Sequence, residues 1–241
     1  MKEDVLVVIP ARLSSTRLPK KVLLPIHGYP MIYWVVKRVL DSGITNYIVA
    51  TDSSTVMTAC EELGINVMLT SAACLNGTER VAEVAREMDY PFYCNVQGDE
   101  PLLESDSLAK IVNLPSKSKA IFYQGITKIQ DPSVNDVTEV KAALGKNDQL
   151  HFFSRSAIPY SRGDQPASQY RCLGLYLYSR ELLLEFVAAS PGELELSEQV
   201  EQLRCIENNI AISAVQLGPS QRSVDTIEDY DYMCSLPSEF F

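Results

Sequence analysis

Histidine is scarce, with His27 and His151 the only two in 241 residues. That leaves no Ser/His/Asp or Cys/His constellation, so nucleophilic catalysis of the protease or esterase kind is not expected. The six cysteines, Cys60, Cys74, Cys94, Cys172, Cys205 and Cys234, include no pair at CxxC or metal-finger spacing. They read as reduced, mostly buried thiols, and a structural zinc site is not expected. No stretch approaches the ~20 apolar residues that span a bilayer. The start, MKEDVLVVIPAR, lacks the basic region, long apolar run and small-residue cleavage site of a signal peptide, so the expected address is cytoplasmic. Positive charge is in deficit: 21 Lys and Arg against 31 Asp and Glu give a net charge of −10. Neither nucleic acid nor membrane is an expected partner. Internal repeats, low-complexity segments, the Walker A pattern and GxGxxG are all missing.

What charge there is has a direction. Residues 1–38 hold seven basic groups (Lys2, Arg12, Arg17, Lys20, Lys21, Lys37, Arg38) against two acids. A positive end on an acidic body suits a phosphate-bearing small ligand, or is a bias of the solvated surface.

The first half alternates strand and helix signals. Val5–Ile9, Tyr47–Ala50, Asn66–Leu69 and Phe92–Val96 are apolar runs of the kind found inside parallel sheets. Helical spacing covers Met31–Leu40, Val56–Leu63 and Thr78–Met88, the second preceded by the capping residues Thr51-Asp52-Ser53-Ser54. Strand and helix in alternation predict right-handed βαβ units and a doubly wound sheet. After about residue 114 the pattern changes. Ala120–Ile126, Glu139–Leu144 and Gln149–Phe153 read as strands, the last two forming a hairpin through Gly-Lys-Asn-Asp at 145–148. Ser161–Gln169 reads as a mobile loop and Tyr170–Tyr178 as a strand. Arg180–Ala188 and Glu195–Asn208 read as helices, Ala211–Val215 as a strand and Asp225–Met233 as a closing acidic helix. The division expected is a nucleotide-binding half at about 1–114, an insertion at about 115–178 and closing elements at about 179–241, within one domain.

Chemistry concentrates after the first strand, in Ile9-Pro10-Ala11-Arg12-Leu13-Ser14-Ser15-Thr16-Arg17-Leu18-Pro19-Lys20-Lys21. Ligands of open parallel sheets bind beyond the carboxyl ends of strands, and Arg and Lys suit phosphate oxygens. The alternative is a basic surface loop. At the end of the fourth strand, Asn95-Val96-Gln97-Gly98-Asp99-Glu100-Pro101 offers a carboxylate to the same crevice. A triphosphate needs Mg²⁺, which is held by one or two carboxylates plus phosphate oxygens. Asp99 can serve as one, and Asp225 of Val224-Asp225-Thr226 as a second. The plainer readings are an Asx turn and an N-cap.

Together these segments carry a resemblance. IPARLSSTRLPKK, NGTERVAEV, NVQGDEPLL, FFSRSAIPY, LGLY, VEQLR and VDTIED resemble, in order and over nearly the whole chain, the 3-deoxy-manno-octulosonate (Kdo) cytidylyltransferases, or CMP-Kdo synthetases. The resemblance implies an α/β, Rossmann-like nucleotidyltransferase fold with a mostly parallel central sheet and a smaller antiparallel insertion for acceptor contacts and dimerisation. It implies a Mg²⁺-dependent transfer of CMP from CTP to a 2-keto sugar acid, with release of pyrophosphate, by a cytoplasmic homodimer serving lipopolysaccharide biosynthesis. By the same resemblance, Ala11 and Arg12 face the cytosine and triphosphate, Arg17 and Lys21 bind phosphate, and Arg80 and Gln97 face nucleotide or sugar. Asp99 and Asp225 are the magnesium ligands. Arg155, Cys172, Tyr176, Glu201 and Gln202 match the sugar-acid pocket, with Arg155 suited to a carboxylate. Plainer readings stay open: Glu201 and Gln202 on a solvated helix face, and Arg155 paired with a nearby acid.

Three positions depart from the family pattern. Lys20 stands where the family has Gly before the phosphate lysine, and strains the loop if that site needs positive φ. His27-Gly28-Tyr29-Pro30 replaces Asn-Gly-Lys-Pro. Cys172 of Cys172-Leu173-Gly174-Leu175-Tyr176 replaces a histidine of the acceptor pocket. That last change admits a different acid-bearing acceptor, such as an amino-Kdo, another nonulosonate-like sugar or a phosphonate. A nucleotide-binding protein without turnover is the alternative of another class.

Overall fold

The computed structural model describes residues 2–13, 17–114, 121–131, 136–162, 167–218 and 223–241. Three features of the sequence reading fall wholly or partly elsewhere: the hydroxyls Ser14, Ser15 and Thr16, the strand start at Ala120, and the middle of the loop expected at 161–169. The chain forms two compact units, residues 1–115 with 220–241, and residues 116–219.

The first unit opens with β1 (Val5–Pro10), whose residues from Val5 to Ile9 are all buried. After a loop and a 3-10 turn at Lys21–Leu23 come β2 (Pro25–Ile26) and β3 (Tyr29–Pro30), a small antiparallel hairpin. Its two-residue turn has His27 and Gly28 both at positive φ, 46° and 85°, the geometry of a primed turn. Helix α1 (Met31–Asp41) buries Met31, Ile32, Trp34, Val35, Val36 and Val39, at roughly 1.5–3 kcal/mol for each large apolar side chain. Strand β4 (Tyr47–Thr51), helix α2 (Ser54–Glu62, capped by Ser53), strand β5 (Val67–Leu69), helix α3 (Gly77–Glu87, capped by Asn76) and strand β6 (Phe92–Val96) follow. A short helix not foreseen in the sequence, α4 (Ser105–Val112), buries Leu108, Ile111 and Val112.

Strands β5, β4, β1 and β6 lie side by side in that order, and all three pairings are parallel. The chain leaves β1 for β4 on one side and returns to β6 on the other. The order therefore reverses between β1 and β6, the point where open α/β sheets form their ligand crevice.

The second unit contains β7 (Phe122–Lys128), β8 (Lys141–Leu144), β9 (Gln149–Ser154), β10 (Tyr170–Ser179), α5 (Arg180–Ala188), α6 (Glu193–Glu198), α7 (Leu203–Glu207) and β11 (Ile212–Gln216). β8 and β9 form the expected antiparallel hairpin. The run β10-β7-β11-β9-β8 closes on itself, because β8 also pairs with β10. Only the β7–β11 pairing is parallel within this ring. One expectation needs correction: Glu195–Asn208 is two short helices, not one. Gln199 takes a left-handed conformation, φ 53° and ψ 49°, and ends α6. Glu201 and Gln202 thus lie in the turn before α7, not on a solvated helix face, and Gln202 is buried.

The chain then returns to the first unit with α8 (Ile227–Ser235). Its N-cap is Thr226, in a capping box with Asp229, so the capping role falls to Thr226 and Asp225 stands one residue ahead of it.

Candidate functional site

The loops that follow β1 and β6 meet because nothing intervenes between their backbones. A Cβ at Gly98 would lie 2.8 Å from the Pro10 carbonyl oxygen, a distance that excludes any other residue there. Apolar contacts fix the flanking segments. Leu18 of the first loop, Leu102 after β6 and Val224 beside Asp225 share one buried cluster with Ile26, Met31, Trp34, Met233 and Phe241. The Val224 amide donates to the Asp99 carbonyl at 2.9 Å, which sets Asp99 and Asp225 side by side.

Lys21 stands between them. Its Nζ lies 2.6 Å from Asp99 Oδ2 and 3.0 Å from Asp225 Oδ1, and its side chain is only 11% exposed. Arg17 Nη2 approaches Asp225 Oδ1 at 3.0 Å from the solvent side. Burial works to lower the ammonium's pKa, but attraction to Asp99 and Asp225, with a hydrogen bond to each, outweighs it and holds the pKa above its ordinary value. Burial likewise works to raise the Asp225 pKa, and Lys21, Arg17 and the Ser223 hydroxyl together hold it below the usual range. Four residues from three widely separated segments thus form one charge-balanced cluster at the switch point.

Lys20 is left-handed, φ 57° and ψ 26°. The position does require positive φ, and this chain meets the requirement without glycine, at a local cost of about 1–2 kcal/mol.

The cluster suits a magnesium ion in donor type: two carboxylates converge on one cation, and both are hard oxygen ligands. Among the described residues no group of three or more His, Cys, Asp or Glu side chains is placed to hold a metal. A metal held by Asp99 and Asp225 would take its other ligands from water and phosphate, the usual habit of Mg²⁺.

The other residues expected on the nucleotide side also lie in the first unit. Ala11 is fully buried, its amide donating to the Ala50 carbonyl at 2.8 Å; Arg12 is exposed. Gln97 Nε2 donates weakly to Asn95 Oδ1 at 3.4 Å and would stand 3.1 Å from a Cβ at Gly77. Arg80 is buried, with Nη2 3.0 Å from Asp52 Oδ2 and Nη1 2.5 Å from Thr70 Oγ1. Asp52 was not foreseen as its partner, because 28 residues separate the two.

In the second unit the acceptor candidates form two groups. Cys172 and Tyr176 lie on β10 on either side of a register shift against β7. Gln124 of β7 spans that irregularity, its Nε2 donating to the carbonyls of Leu173 and Gly125 at 2.8 Å each. Gln202 Nε2 donates to Gln124 Oε1 at 3.1 Å. Burial pushes the Cys172 thiol pKa far up, with Arg171 opposing weakly, so the group is a neutral thiol. Arg155 belongs to the other group. Its Nε donates to the Glu198 carbonyl, Nη1 to the carbonyls of Val137 and Thr138, and Nη2 to that of Gln199. Four of its five N–H donors are thereby committed to main chain. The Glu198 carboxylate accepts from the Arg155 amide and the Ser154 hydroxyl, which hold its pKa down. Gln124 and Glu198 were not foreseen; a lone Gln within the apolar run Ile121–Ile126 was the one available signal of a buried polar network.

Residues 6–212 match the model of a family described as Cytidylyltransferase. The 3-deoxy-manno-octulosonate cytidylyltransferase of Chlorobium limicola is 37% identical over 239 residues, covering 95% of each chain. That of Acinetobacter baumannii is 38% identical over 254 residues, covering 98% of each. Among solved structures, a CMP:2-keto-3-deoxy-manno-octonic acid synthetase complexed with CTP superposes with a TM-score of 0.90 at 30% identity, covering 96% of this chain and 97% of that one. A Leptospira borgpetersenii cytidylyltransferase, 19% identical with a TM-score of 0.67, shares the fold.

Proposed function

Because the chain belongs to the 3-deoxy-manno-octulosonate cytidylyltransferase family of nucleotidyltransferases, we propose that it transfers CMP from CTP to the anomeric hydroxyl of Kdo. The hydroxyl oxygen forms a bond to the α-phosphorus as the bond to pyrophosphate breaks. The observation carrying this reading is the cluster of Lys21, Arg17, Asp99 and Asp225 at the switch point.

Such a transfer needs positioning and charge neutralisation, not a side-chain nucleophile. Lys21 and Arg17 are placed to hold phosphate oxygens, Lys21 as a point charge and Arg17 as a fork. Asp99 and Asp225 would hold Mg²⁺, which when bound supplies charge stabilisation on the phosphate oxygens. Ala11 and Arg12 are assigned to the base and triphosphate, Gln97 and Arg80 to nucleotide or sugar, and Tyr176, Glu201 and Gln202 to the acceptor, to which Arg155 could offer only the one N–H not committed to main chain. The family resemblance supports a homodimer acting in the cytoplasm on lipopolysaccharide precursors. Among the described residues no helix is long and apolar enough to cross a membrane.

A second reading, a related acid-bearing acceptor in place of Kdo, is favoured by the neutral thiol of Cys172 where the family has histidine. A thiol is a weak donor, and one polar contact to Kdo would be missing. The test is pyrophosphate release with CTP or UTP across a panel of 2-keto sugar acids, for wild type and Cys172→His. Strong turnover of CTP with Kdo supports the first reading. Poor Kdo turnover that Cys172→His improves supports the second. No release with any acceptor would overturn both.

A further inference from the structure

Lys21 occupies the one position that both candidate metal ligands face. Its ammonium is within 3.0 Å of Asp99 Oδ2 and Asp225 Oδ1 together. The second carboxylate is engaged more widely still, since Oδ1 also meets Arg17 and Oδ2 accepts from the Ser223 hydroxyl at 3.4 Å. Two cations face two carboxylates, so the local charge is balanced. A divalent ion added to this arrangement would place its charge against a nearly buried ammonium. Triphosphate changes that balance. It brings several negative oxygens to the same loop, which can accept Lys21 and Arg17 and release the carboxylates.

We propose that Lys21 is the internal occupant of the divalent-cation position, and that it yields the position only when phosphate draws it away. The proposal rests on the assignment of Asp99 and Asp225 as metal ligands. It makes metal and nucleotide binding mutually dependent: whatever factor nucleotide adds to metal affinity, metal adds to nucleotide affinity. Lys21 then serves two partners in turn, the carboxylates in the free protein and phosphate in the complex. The tether is short enough for this exchange. Lys21 opens the 3-10 turn that follows Lys20, and only its side chain needs to change rotamer.

The test is Mn²⁺ binding to the full chain without nucleotide, read from the electron paramagnetic resonance signal of free Mn²⁺. Wild type is expected to show no saturable site up to about 1 mM. Lys21→Met, which keeps the length and removes the charge, is expected to bind one Mn²⁺ at least about tenfold more tightly. Adding Asp99→Asn to that variant should abolish the new site. Circular dichroism checks folding first, and Lys21→Gln stands in if Lys21→Met does not fold. Wild type binding one Mn²⁺ as tightly as the variant would overturn the proposal. So would a neutral variant that gains no site, or a site that survives Asp99→Asn. Mg²⁺-dependent pyrophosphate release that requires Asp99, together with no site gained, sinks the exchange and leaves the proposed activity standing. A gained site in a protein that releases no pyrophosphate does the reverse.

Discussion

Asp99 and Asp225 each accept from the same ammonium, and Asp225 also pairs with Arg17. Asp99→Asn and Asp225→Asn preserve shape and remove charge. Each is expected to lower kcat under Mg²⁺ by about 100-fold, equivalent to roughly 2.7 kcal/mol of lost transition-state stabilisation. Steady-state kinetics with unchanged circular dichroism would check this, and normal turnover in either variant would return that Asp to a turn role. Lys20 makes a separate prediction. Its left-handed backbone costs about 1–2 kcal/mol, partly offset because glycine is more flexible when unfolded. Lys20→Gly is therefore expected to stabilise by about 0.5–1 kcal/mol in urea titrations; a loss of stability would mean the Lys20 side chain has a compensating contact. This positive φ was legible in the sequence, from the glycine the family places there. The partners of Arg80 and Arg155 were not. Asp52 lies 28 positions from Arg80 and Glu198 lies 43 from Arg155, and no local pattern marks which distant carboxylate or carbonyl a given Arg will find.

Elements built from continuous apolar runs were read closely, because a strand buried on both faces shows its identity in every residue. β1, β4 and β6 match their expected spans to within a residue. The break between α6 and α7 was hidden. Gln199 carries no glycine-like signal, and its left-handed turn is held by tertiary contacts: the Glu198 carboxylate bound to Ser154 and Arg155, and buried Val200. Helix α4 was missed because eight residues with three buried apolar positions give too short a periodicity, and such a helix owes its stability to packing. Gln202 donates to the Gln124 side chain that bridges the irregularity in β10. Gln202→Ala would leave the Gln124 carbonyl oxygen without this donor inside a fully buried site. The expected cost is about 1–3 kcal/mol, measured by urea unfolding. A change near zero would show that the two amides do not act as a unit.

At the scale of the whole molecule, two carboxylates with lowered pKa make stability fall in acid. Glu198 and Asp225 are both held below their ordinary values. Their contributions are present above the unfolded pKa values of about 4.3 and 3.9, and vanish as pH falls through the lower folded ones. Lys21, whose pKa is raised, contributes below about 10.4 and ceases to as pH rises through its folded value. Urea unfolding between about pH 5 and 2 should therefore show a steep loss in wild type and a flatter one in Glu198→Gln; identical slopes would refute the Glu198 assignment. The thiols give a further check. Cys234 is exposed, while Cys60, Cys94 and Cys205 are buried, and burial raises the pKa of Cys60 and Cys74 to about 11. Thiolate is the reactive form, so a disulfide reagent at neutral pH should label Cys234 first in the native protein. Equal rates for several thiols would contradict this packing.

The first unit is discontinuous, and its charge cluster joins residues 204 positions apart. A ribosome adding about 5–20 residues per second needs roughly 10–40 s to travel from Lys21 to Asp225. Throughout that interval the nascent chain carries a cationic loop without its Asp225 partner. Translation that stalls anywhere in the second unit leaves half of the carboxylate pair unmade. A truncated product would thus keep most of the cationic loop and lack the partner that completes its cluster, so that the proposed nucleotide chemistry begins only when synthesis has passed residue 225.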